Sequence, residues 1–502
     1  MNQLIKRLFS DSAAFAIATM GNKLAAVVLA PIYIRILQKD QHAIGDWGLT
    51  QTYTLILTYL CILGTDTALA YYFYDTKDEK DRQVYFTNTL LFSVGMCILF
   101  SVLSFLFDSA ISSVVYRSNR YDDTHLLTIA TVATLGAIVI QHILAYARYN
   151  RRVWFFNVFS MAFVIGSSVL SVVLAYYMKP SVLGIFYGQL IGQGSVALIL
   201  LWLYRKELTW KFSKPHTMRL IKYGSPVMIS LLSFWIMSSI SRPMLNYLVE
   251  DNSAIKYDAN AIYEATVRIA SFIVLITAPF QLAWRPFSMS IKDRDDAQQV
   301  YGLIGRGLLV FGTLAIMVLT FFIQPLYNLY IGTPGPETKV DLSSGYLYVW
   351  MLSLGTLLNV LHPVFGVGLF IKKQTKHISR IFILVSVIFL IGNFLLVPYF
   401  KIWGTVSMTA TSYFIAVILI YRASQKVYPV EFKFGAMMLY MTVFLASMAW
   451  ISYVQANHLP NPWITYVVAF IVNIAVVFLT GLIPFRMLNR IGSLLPKLGG
   501  KK

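Results

Sequence analysis

Long apolar runs constrain the fold of this chain more than any other feature of its sequence. A helix needs about 20 mostly apolar residues to cross the hydrocarbon core of a bilayer. Fourteen such runs follow one another, over residues 11–37, 47–73, 84–107, 125–147, 153–178, 181–204, 219–249, 257–285, 299–323, 345–371, 378–400, 402–424, 434–455 and 461–485. The 502 residues are 57% hydrophobic and 13% charged, which a soluble globular protein could not cover. We therefore predict an all-α polytopic membrane protein with about 14 transmembrane helices.

The loops between these runs carry their basic residues unequally. With an even number of spans both termini lie on one side of the membrane, and that side has 29 Lys and Arg residues against 8 on the other. Because cytoplasmic loops are enriched in Lys and Arg, both termini are predicted to be cytoplasmic. The same bias accounts for the net charge of +19, so we expect membrane lipids as partners and no nucleic acid.

Four basic residues fall inside the predicted spans, where a charge costs a few kcal/mol and usually faces a partner or a wet cavity. They are Lys23, Arg242, Arg268 and Arg306. The carboxylates at comparable depth are Asp66 and Glu264, so cations exceed anions there by about two. A purely structural network would be more closely balanced, and we expect Lys23, Arg242 and Arg268 to converge on a central chamber.

Polar side chains also line one face of several spans. In the eighth span Asn260, Glu264, Arg268 and Ser271 are spaced 4, 4 and 3 residues apart, which puts them on one helix face. Gln51, Thr54, Thr58 and Thr65 recur similarly in the second span. Two interpretations of the eighth span stay open: Glu264 and Arg268 neutralise each other at i,i+4, or Arg268 meets an anionic substrate. Single Ser and Thr residues favour a structural interpretation, because their hydroxyls bond back to the helix backbone.

The order of spans and linkers predicts two lobes in the same orientation, a pattern typical of transporters. The predicted segments are an N-lobe of six spans over 1–204, a cytoplasmic linker over 205–218, a C-lobe of six spans over 219–424, two peripheral helices over 434–485 and a basic cytoplasmic tail over 486–502. The first apolar run is too long for a cleaved signal peptide and is interpreted as a span. Cys61 and Cys97 lie inside spans and are interpreted as packing residues.

Five segments resemble a known family when they are taken in order. They are "APIYIRIL" (30–37), "AIGDWGL" (43–49), "IKYGSPVMIS" (221–230), "AIYEATVRIASF" (261–272) and "LIGNFLLVPYFKIWGTVSMTATSY" (390–413). Together they resemble the polysaccharide (O-antigen, Wzx-like) flippases of the multidrug/oligosaccharidyl-lipid/polysaccharide superfamily. Trp47 departs from the family pattern, where Tyr or Phe is commoner at this position.

The resemblance implies a fold like that of the MATE and MurJ transporters and a location in the bacterial plasma (inner) membrane. It implies that an undecaprenyl-diphosphate-linked oligosaccharide crosses from the cytoplasmic to the outer leaflet. Lys and Arg are natural counter-ions for a diphosphate. The expected substrate-binding residues are therefore Lys23, Asp66, Arg242, Asn260, Glu264, Arg268, Arg285 and Arg306, with Arg285 and Arg306 guiding the head group inward.

Three rival functions remain at the level of sequence. A lipid II flippase of the MurJ type has a similar cationic cavity, whereas a MATE-like drug or cation antiporter would need unpaired carboxylates. A membrane-embedded polymerase or glycosyltransferase would need a large outward loop or an acidic motif. The histidines lack metal-ligand spacing and no P-loop is present, so we expect no enzyme activity, no metal and no cofactor. We expect a monomer, which other polysaccharide-assembly membrane proteins could accompany. Membrane potential, or a proton carried by Asp66 or Glu264, is expected to drive transport.

Overall fold

The computed structural model describes residues 21–25, 27–118, 120–178, 181–209, 211–250, 257–332 and 335–483, without the side chains of residues 181, 276, 282, 285 and 286. Throughout these ranges the chain is helical and has no strand, which confirms the predicted all-α class. The predicted tail over 486–502 and most of the first predicted span lie outside the described residues.

The helices follow one another with short connections. After α1, described over residues 21–37 except residue 26, come α2 (Ala43–Ile62), α3 (Thr65–Asp75), α4 (Glu79–Leu106), α5 (Asp108–Tyr116), α6 (Leu126–Tyr149), α7 (Val153–Tyr177), α8 (Ser181–Tyr204), α9 (Lys214–Ser239), α10 (Ser241–Leu248), α11 (Ala259–Ala270), α12 (Phe272–Ser290), α13 (Ala297–Phe321), α14 (Ile323–Ile331), α15 (Val349–Phe365), α16 (Val367–Ile371), α17 (Lys376–Phe400), α18 (Ile402–Val427), α19 (Phe434–Ala456) and α20 (Pro462–Leu479). One 3-10 helix, Ser343–Tyr348, precedes α15.

Twelve helical stretches in the described part of the chain are long and apolar enough to cross a membrane. This number takes α2 with α3 as one span, and the 3-10 helix with α15 as another. The two remaining predicted spans correspond to α1, whose start lies outside the described residues, and to the pair α11 and α12. The exact number of fourteen therefore stays a prediction.

Four predicted spans contain two α-helices instead of one: the second, the seventh, the eighth and the tenth, in which α15 is followed by α16. The second span breaks at Leu63 and Gly64, which both have positive φ (52° and 70°). A Cβ on Gly64 would lie 2.4 Å from the carbonyl oxygen of Gly224, so only glycine allows α9 to approach this break. The seventh span breaks at Ile240, between α9 and α10, and the eighth at Ser271, between α11 and α12. The sequence stays apolar beyond the break at Ser271, so hydropathy does not reveal that break, whereas polar residues flank Ile240 and follow Gly64.

The chain divides into two compact units. The first comprises the described residues up to Leu275, together with Asn328–Gly345 and Phe382–Met408. The second comprises Ile276–Tyr327, Tyr346–Ile381 and the described residues from Thr409 onward. The division into lobes over 1–204 and 219–424 stays a prediction.

Helices α7 and α8 in the first unit pack along a stripe of glycines. Added Cβ atoms on Gly184 and Gly188 would lie 2.4 and 2.3 Å from backbone atoms of α7, and one on Gly192 would lie 2.6 Å from Cα of Ser167. Small residues at four-residue intervals let two helix backbones approach closely, which stabilises helix pairs in lipid through van der Waals contact. This packing fixes α7, against which α1 is held by a hydrogen bond from Tyr33 to the carbonyl of Ser168 (2.9 Å).

Candidate functional site

Three charged side chains of the first unit form a buried cluster, which we call the arginine–glutamate cluster: Arg242, Glu264 and Arg268. Nε of Arg242 lies 2.7 Å from Oε2 of Glu264, and the guanidinium of Arg268 pairs with Oε1 of the same carboxylate. The side chain of Glu264 is 1% exposed, that of Arg242 11% and that of Arg268 24%. The i,i+4 pair expected within the eighth span is present, and a second arginine from α10 shares its carboxylate.

Each of the two arginines lies in a helical turn next to one of the helix breaks. Arg242 is the second residue of α10, where the positive end of the helix dipole disfavours a cation, so its pairing with Glu264 offsets that cost. Arg268 lies in the last turn of α11, where the dipole favours a cation. Arg242 follows the break at Ile240 by two residues and Arg268 precedes the break at Ser271 by three, so both cations lie beside helix ends.

Helix α2 approaches the cluster through Gly48. A Cβ on Gly48 would lie 2.8 Å from Oε2 of Glu264 and 3.1 Å from Nε of Arg242, distances that no side chain could keep without displacing the ion pair. One turn earlier, a Cβ on Gly45 would lie 2.8 Å from Cβ of Asn260 on α11. The segments "AIGDWGL" and "AIYEATVRIASF" are therefore packed against each other, and their glycines make room for the charges.

Two further residues of α2 hold Arg268. Its Cζ lies 4.2 Å from the ring centroid of Trp47, a cation–π contact, and one of its terminal N–H groups donates to Oε1 of Gln51. Gln51 belongs to the polar stripe predicted in the second span, whereas Trp47 carried no sequence signal beyond its departure from the family pattern. Nε of Arg268 has no hydrogen-bond partner within the described ranges. The guanidinium is thus positioned by its neighbours with donor capacity to spare.

The electrostatic balance of the cluster is positive. Two guanidinium groups share one carboxylate, which leaves one uncompensated positive charge among the three side chains. Such an excess is costly in a low-dielectric interior unless water or an anion compensates it. The arrangement is therefore suited to receive an anionic group beside Arg268, the more exposed of the two cations.

Asn260 contacts α10 instead of the carboxylate. With its amide oriented to satisfy both partners, it donates to the carbonyl of Arg242 (3.0 Å) and accepts from the backbone N–H of Asn246 (3.3 Å). These bonds fix α10 on α11, and so position Arg242. A direct contact of Asn260 with substrate stays a prediction.

The other predicted site residues lie elsewhere. Lys23 is half-buried on α1, beside Asn22, whose amide donates to Oγ of Ser160 (2.7 Å). Asp66 accepts from the backbone N–H of Thr67 (2.7 Å) and lines, with Asn22 among others, a cavity of about 420 Å³. The convergence of Lys23 on Arg242 and Arg268 stays a prediction.

The two predicted guiding residues, Arg285 at the end of the eighth span and Arg306 in the ninth, belong to the second unit. Nε of Arg306, on α13, donates to the carbonyl of Gly302 (3.1 Å), and the side chain is buried. Arg285 lies on α12, and its side chain is outside the described residues. Their role in guiding the head group stays a prediction.

A second polar cluster, which the sequence did not single out, lies at the start of α2. Oδ2 of Asp46 accepts from Arg120 (2.9 Å) and from the hydroxyl of Tyr121 (3.0 Å). Nearby, Nδ1 of His42 lies 3.4 Å from Oδ2 of Asp258, and this carboxylate raises the pKa of His42 above its usual value. Asp258 also caps α11 by accepting from the N–H of Ala261 (2.8 Å). Within the described residues no group of three or more His, Cys, Asp or Glu side chains could hold a metal ion.

Comparison with known proteins agrees with this architecture. The profile of a family described as "Polysaccharide biosynthesis protein" matches residues 8–292. A solved structure of the lipid II flippase MurJ in an inward closed conformation is similar with a TM-score of 0.71 and 14% identity, covering 95% of this chain and 99% of that one. A search of curated proteins found no significant match.

Two MATE transporters are similar over a smaller share of the chain. The Vibrio cholerae MATE transporter VcmN in its bent form has a TM-score of 0.52 and 13% identity, with coverage of 83% of this chain and 98% of that one. The MATE multidrug transporter DinF-BH has a TM-score of 0.57 and 16% identity, with coverage of 85% and 97%. At these identities the likeness shows the fold alone, and it confirms the predicted MATE- and MurJ-like architecture.

Proposed function

Because the chain belongs to the polysaccharide biosynthesis protein family, we propose that it is a flippase for an undecaprenyl-diphosphate-linked oligosaccharide, the repeat unit of a polysaccharide. The family and its structural neighbours are transporters and flippases. In the proposal, the head group crosses from the cytoplasmic to the outer leaflet of a bacterial plasma membrane by alternating access. The lipid tail stays in the bilayer.

The single observation that carries this proposal is the positive excess of the arginine–glutamate cluster. A diphosphate is a multiply charged anion with several acceptor oxygens, and guanidinium groups bind such oxygens with two parallel hydrogen bonds. Arg268 is the more exposed of the two arginines, so it is the first candidate to contact phosphate. Arg242 is the second candidate to contact phosphate, because the anion can compete with Glu264 for its guanidinium.

The length of α11 supports a position of Arg268 near the middle of the membrane. Arg268 follows Ala259, the first residue of α11, by nine residues. At a rise of about 1.5 Å per residue this is about 14 Å along the axis, roughly half the thickness of a hydrocarbon core of about 30 Å. An anion at that depth is strongly disfavoured unless a cation accompanies it.

The helix breaks on both sides of the cluster supply the coupling between binding and movement in this proposal. Without substrate, Glu264 bridges α10 and α11 by pairing with one arginine from each. A diphosphate that binds Arg268 and Arg242 competes with this bridge, so the relative stability of different α10–α11 arrangements changes. A ligand shifts a conformational equilibrium only through such differential contacts.

The similarity in fold to the lipid II flippase MurJ supports a second candidate substrate, lipid II, which is also a diphosphate-linked glycolipid. A MATE-type drug or cation antiporter is less well supported, because the carboxylate at this site already pairs with two arginines. The inner-membrane location, cytoplasmic termini, monomeric state and absence of enzyme activity belong to the same proposal and rest on the sequence arguments above.

The test is translocation of a fluorescent undecaprenyl-diphosphate oligosaccharide in proteoliposomes. If Arg268 binds diphosphate, Arg268→Gln lowers the rate by about 10²-fold, the order lost when a charged contact to an anion is removed. Glu264→Gln is better tolerated for transport, and the double variant remains inactive. The exposed Arg380→Gln is the matched control. An active double variant refutes the phosphate role, because it shows that Arg268 merely neutralises Glu264. Running the assay in parallel with lipid II distinguishes the two substrates.

A further inference from the structure

A large cavity in the first unit lies apart from the arginine–glutamate cluster, between the ends of α1 and α7 and the segment 336–339. Its volume is about 1220 Å³. Its charged lining residues are Arg35, Lys39, Asp40, Glu337 and Lys339. The described part of this lining has three cations and two anions, so its net charge is +1.

The cations of this groove are accessible. Arg35, Lys39 and Lys339 are all exposed. Nζ of Lys39 lies 2.7 Å from Oε2 of Glu337, and their side chains are 60% and 73% exposed, so water screens this pair and its strength is small. One N–H of Arg35 donates to the carbonyl of Leu329, whereas a guanidinium has five N–H donors. An added anion could therefore be bound without first breaking a buried interaction.

Below the charged mouth the walls are apolar. Ile32 and Ile36 line the groove from α1, and Val172 and Val173 line it from α7. Exposed apolar residues continue along both helices at four-residue spacing, Val28 with Ile32 on α1 and Val169 with Val173 on α7. Such stripes present a surface suited to acyl chains that run alongside the two helices.

Two tyrosines mark the level at which the apolar wall meets the charges. Tyr176 and Tyr177, at the end of α7, are 65% and 76% exposed, and both line the groove. Tyr is enriched at the boundary between hydrocarbon and head groups, because its ring is apolar and its hydroxyl is polar. Along the groove, the apolar wall is followed by an interfacial aromatic pair and then by the cationic mouth. A phospholipid has the same order, from its acyl chains through the interface to its charged head group.

We propose that this groove binds a phospholipid with an anionic phosphodiester head group, from the leaflet opposite the predicted cytoplasmic face. The described lining residues carry a single excess positive charge, which matches the single negative charge of a phosphodiester, as in phosphatidylglycerol. Arg35 binds the phosphate, while Lys39 and Lys339 add the attraction that juxtamembrane basic residues exert on anionic lipids. This binding is independent of the transported substrate.

The experiment measures retained lipid by native mass spectrometry of the full chain, purified in detergent and titrated with phosphatidylglycerol or with phosphatidylcholine of the same acyl chains. We expect the wild type to prefer phosphatidylglycerol. The variant Arg35→Gln/Lys39→Gln/Lys339→Gln should bind it at least about tenfold more weakly. The control Arg422→Gln/Lys77→Gln/Lys80→Gln removes one arginine and two lysines at positions outside the groove and should bind like the wild type.

A second variant shifts the charge in the opposite direction. Glu337→Gln releases Lys39 and raises the lining charge by one, so affinity for phosphatidylglycerol should rise by about fivefold. Since a poorly folded protein does not gain affinity, this result cannot come from misfolding. Equal retention of both lipids by the wild type overturns the proposal, as does unchanged phosphatidylglycerol binding in the triple variant or in Glu337→Gln. None of these outcomes depends on whether the chain transports a lipid-linked oligosaccharide.

Discussion

Replacing Glu264 with Gln removes the carboxylate that pairs with both Arg242 and Arg268 while keeping nearly the same shape. The two guanidinium groups then face each other without their shared counter-ion, in a site where Glu264 itself is 1% exposed. Removing one partner of a buried ion pair leaves an uncompensated charge, which destabilises a protein much more than replacing the whole pair does. We therefore expect Glu264→Gln to lower the free energy of unfolding.

The magnitude follows from the exposure of the partners. Breaking a fully buried pair costs about 3–5 kcal/mol. Arg268 is 24% exposed and Arg242 11%, so water solvates part of the released charge, and the Gln oxygen still accepts a hydrogen bond. We expect a loss near the lower limit, about 3 kcal/mol. In Arg242→Gln/Glu264→Gln about half of this should return, because Arg268 keeps Trp47 and Gln51 as partners.

The chain contains its own reporter for the measurement. Cys61 and Cys97 are its two cysteines and both are buried, so a thiol-reactive fluorescent dye labels them only when the protein unfolds in detergent. The melting temperature should fall most in Glu264→Gln, less in the double variant, and not at all in the control Glu250→Gln, an exposed position. A Glu264→Gln protein as stable as the wild type, or a double variant less stable than both single variants, would refute the shared-carboxylate interpretation.

Three further predictions follow from other contacts. Gly48→Ala should lower the free energy of unfolding by about 1–3 kcal/mol, because the added Cβ would lie 2.8 Å from Oε2 of Glu264. The control is Gly95→Ala, whose added Cβ would have no atom within 4 Å. Equal melting temperatures of the two variants would contradict this prediction. Asp258 raises the pKa of His42, so the protonated imidazole should stabilise the fold fully below about pH 6.5 and lose this contribution as pH rises through the raised pKa. The difference in melting temperature between the wild type and His42→Gln should therefore shrink as pH rises, with the exposed His377→Gln as the control. A difference that does not change with pH would contradict this prediction. If membrane potential resets the cationic site, turnover in vesicles should follow the clamped potential, at about 2.3 kcal/mol per charge per 100 mV, and turnover that responds only to a proton gradient would point to Asp66 or Glu264 instead.

Much of the architecture could be predicted because lipid imposes simple rules on sequence. Within the part of the chain that the structure describes, twelve helical stretches of the required length and hydropathy appear where apolar runs occur. The hydroxyls of the predicted stripe in the second span also bond within their own helix: Thr58 donates to the carbonyl of Thr54, and Thr54 to that of Gln51. Both patterns depend on residues within one helical turn, which is the range that sequence periodicity covers.

The partners within the site depend on contacts that spacing along the chain does not encode. The i,i+4 relation predicts the pair of Glu264 with Arg268, but Arg242 is 22 positions away from Glu264 and contacts it from a different helix. Trp47 and Gln51 contact Arg268 from more than 200 residues earlier in the chain. The break at Ser271 is followed by apolar sequence, where hydropathy cannot distinguish one long helix from two, and the polar residues beside Gly64 and Ile240 fall within runs that are still apolar on average.

The central claim, that the spare positive charge of the arginine–glutamate cluster binds a diphosphate, is tested most directly by comparing two lipid-linked ligands. The measurement is the ratio of affinities for one oligosaccharide attached to undecaprenol through a diphosphate or through a monophosphate, in the wild type and in Arg268→Gln. We predict that the wild type prefers the diphosphate by about tenfold or more, and that Arg268→Gln loses most of this preference because its affinity for the diphosphate falls more than its affinity for the monophosphate. An identical ratio in the two proteins would contradict the account.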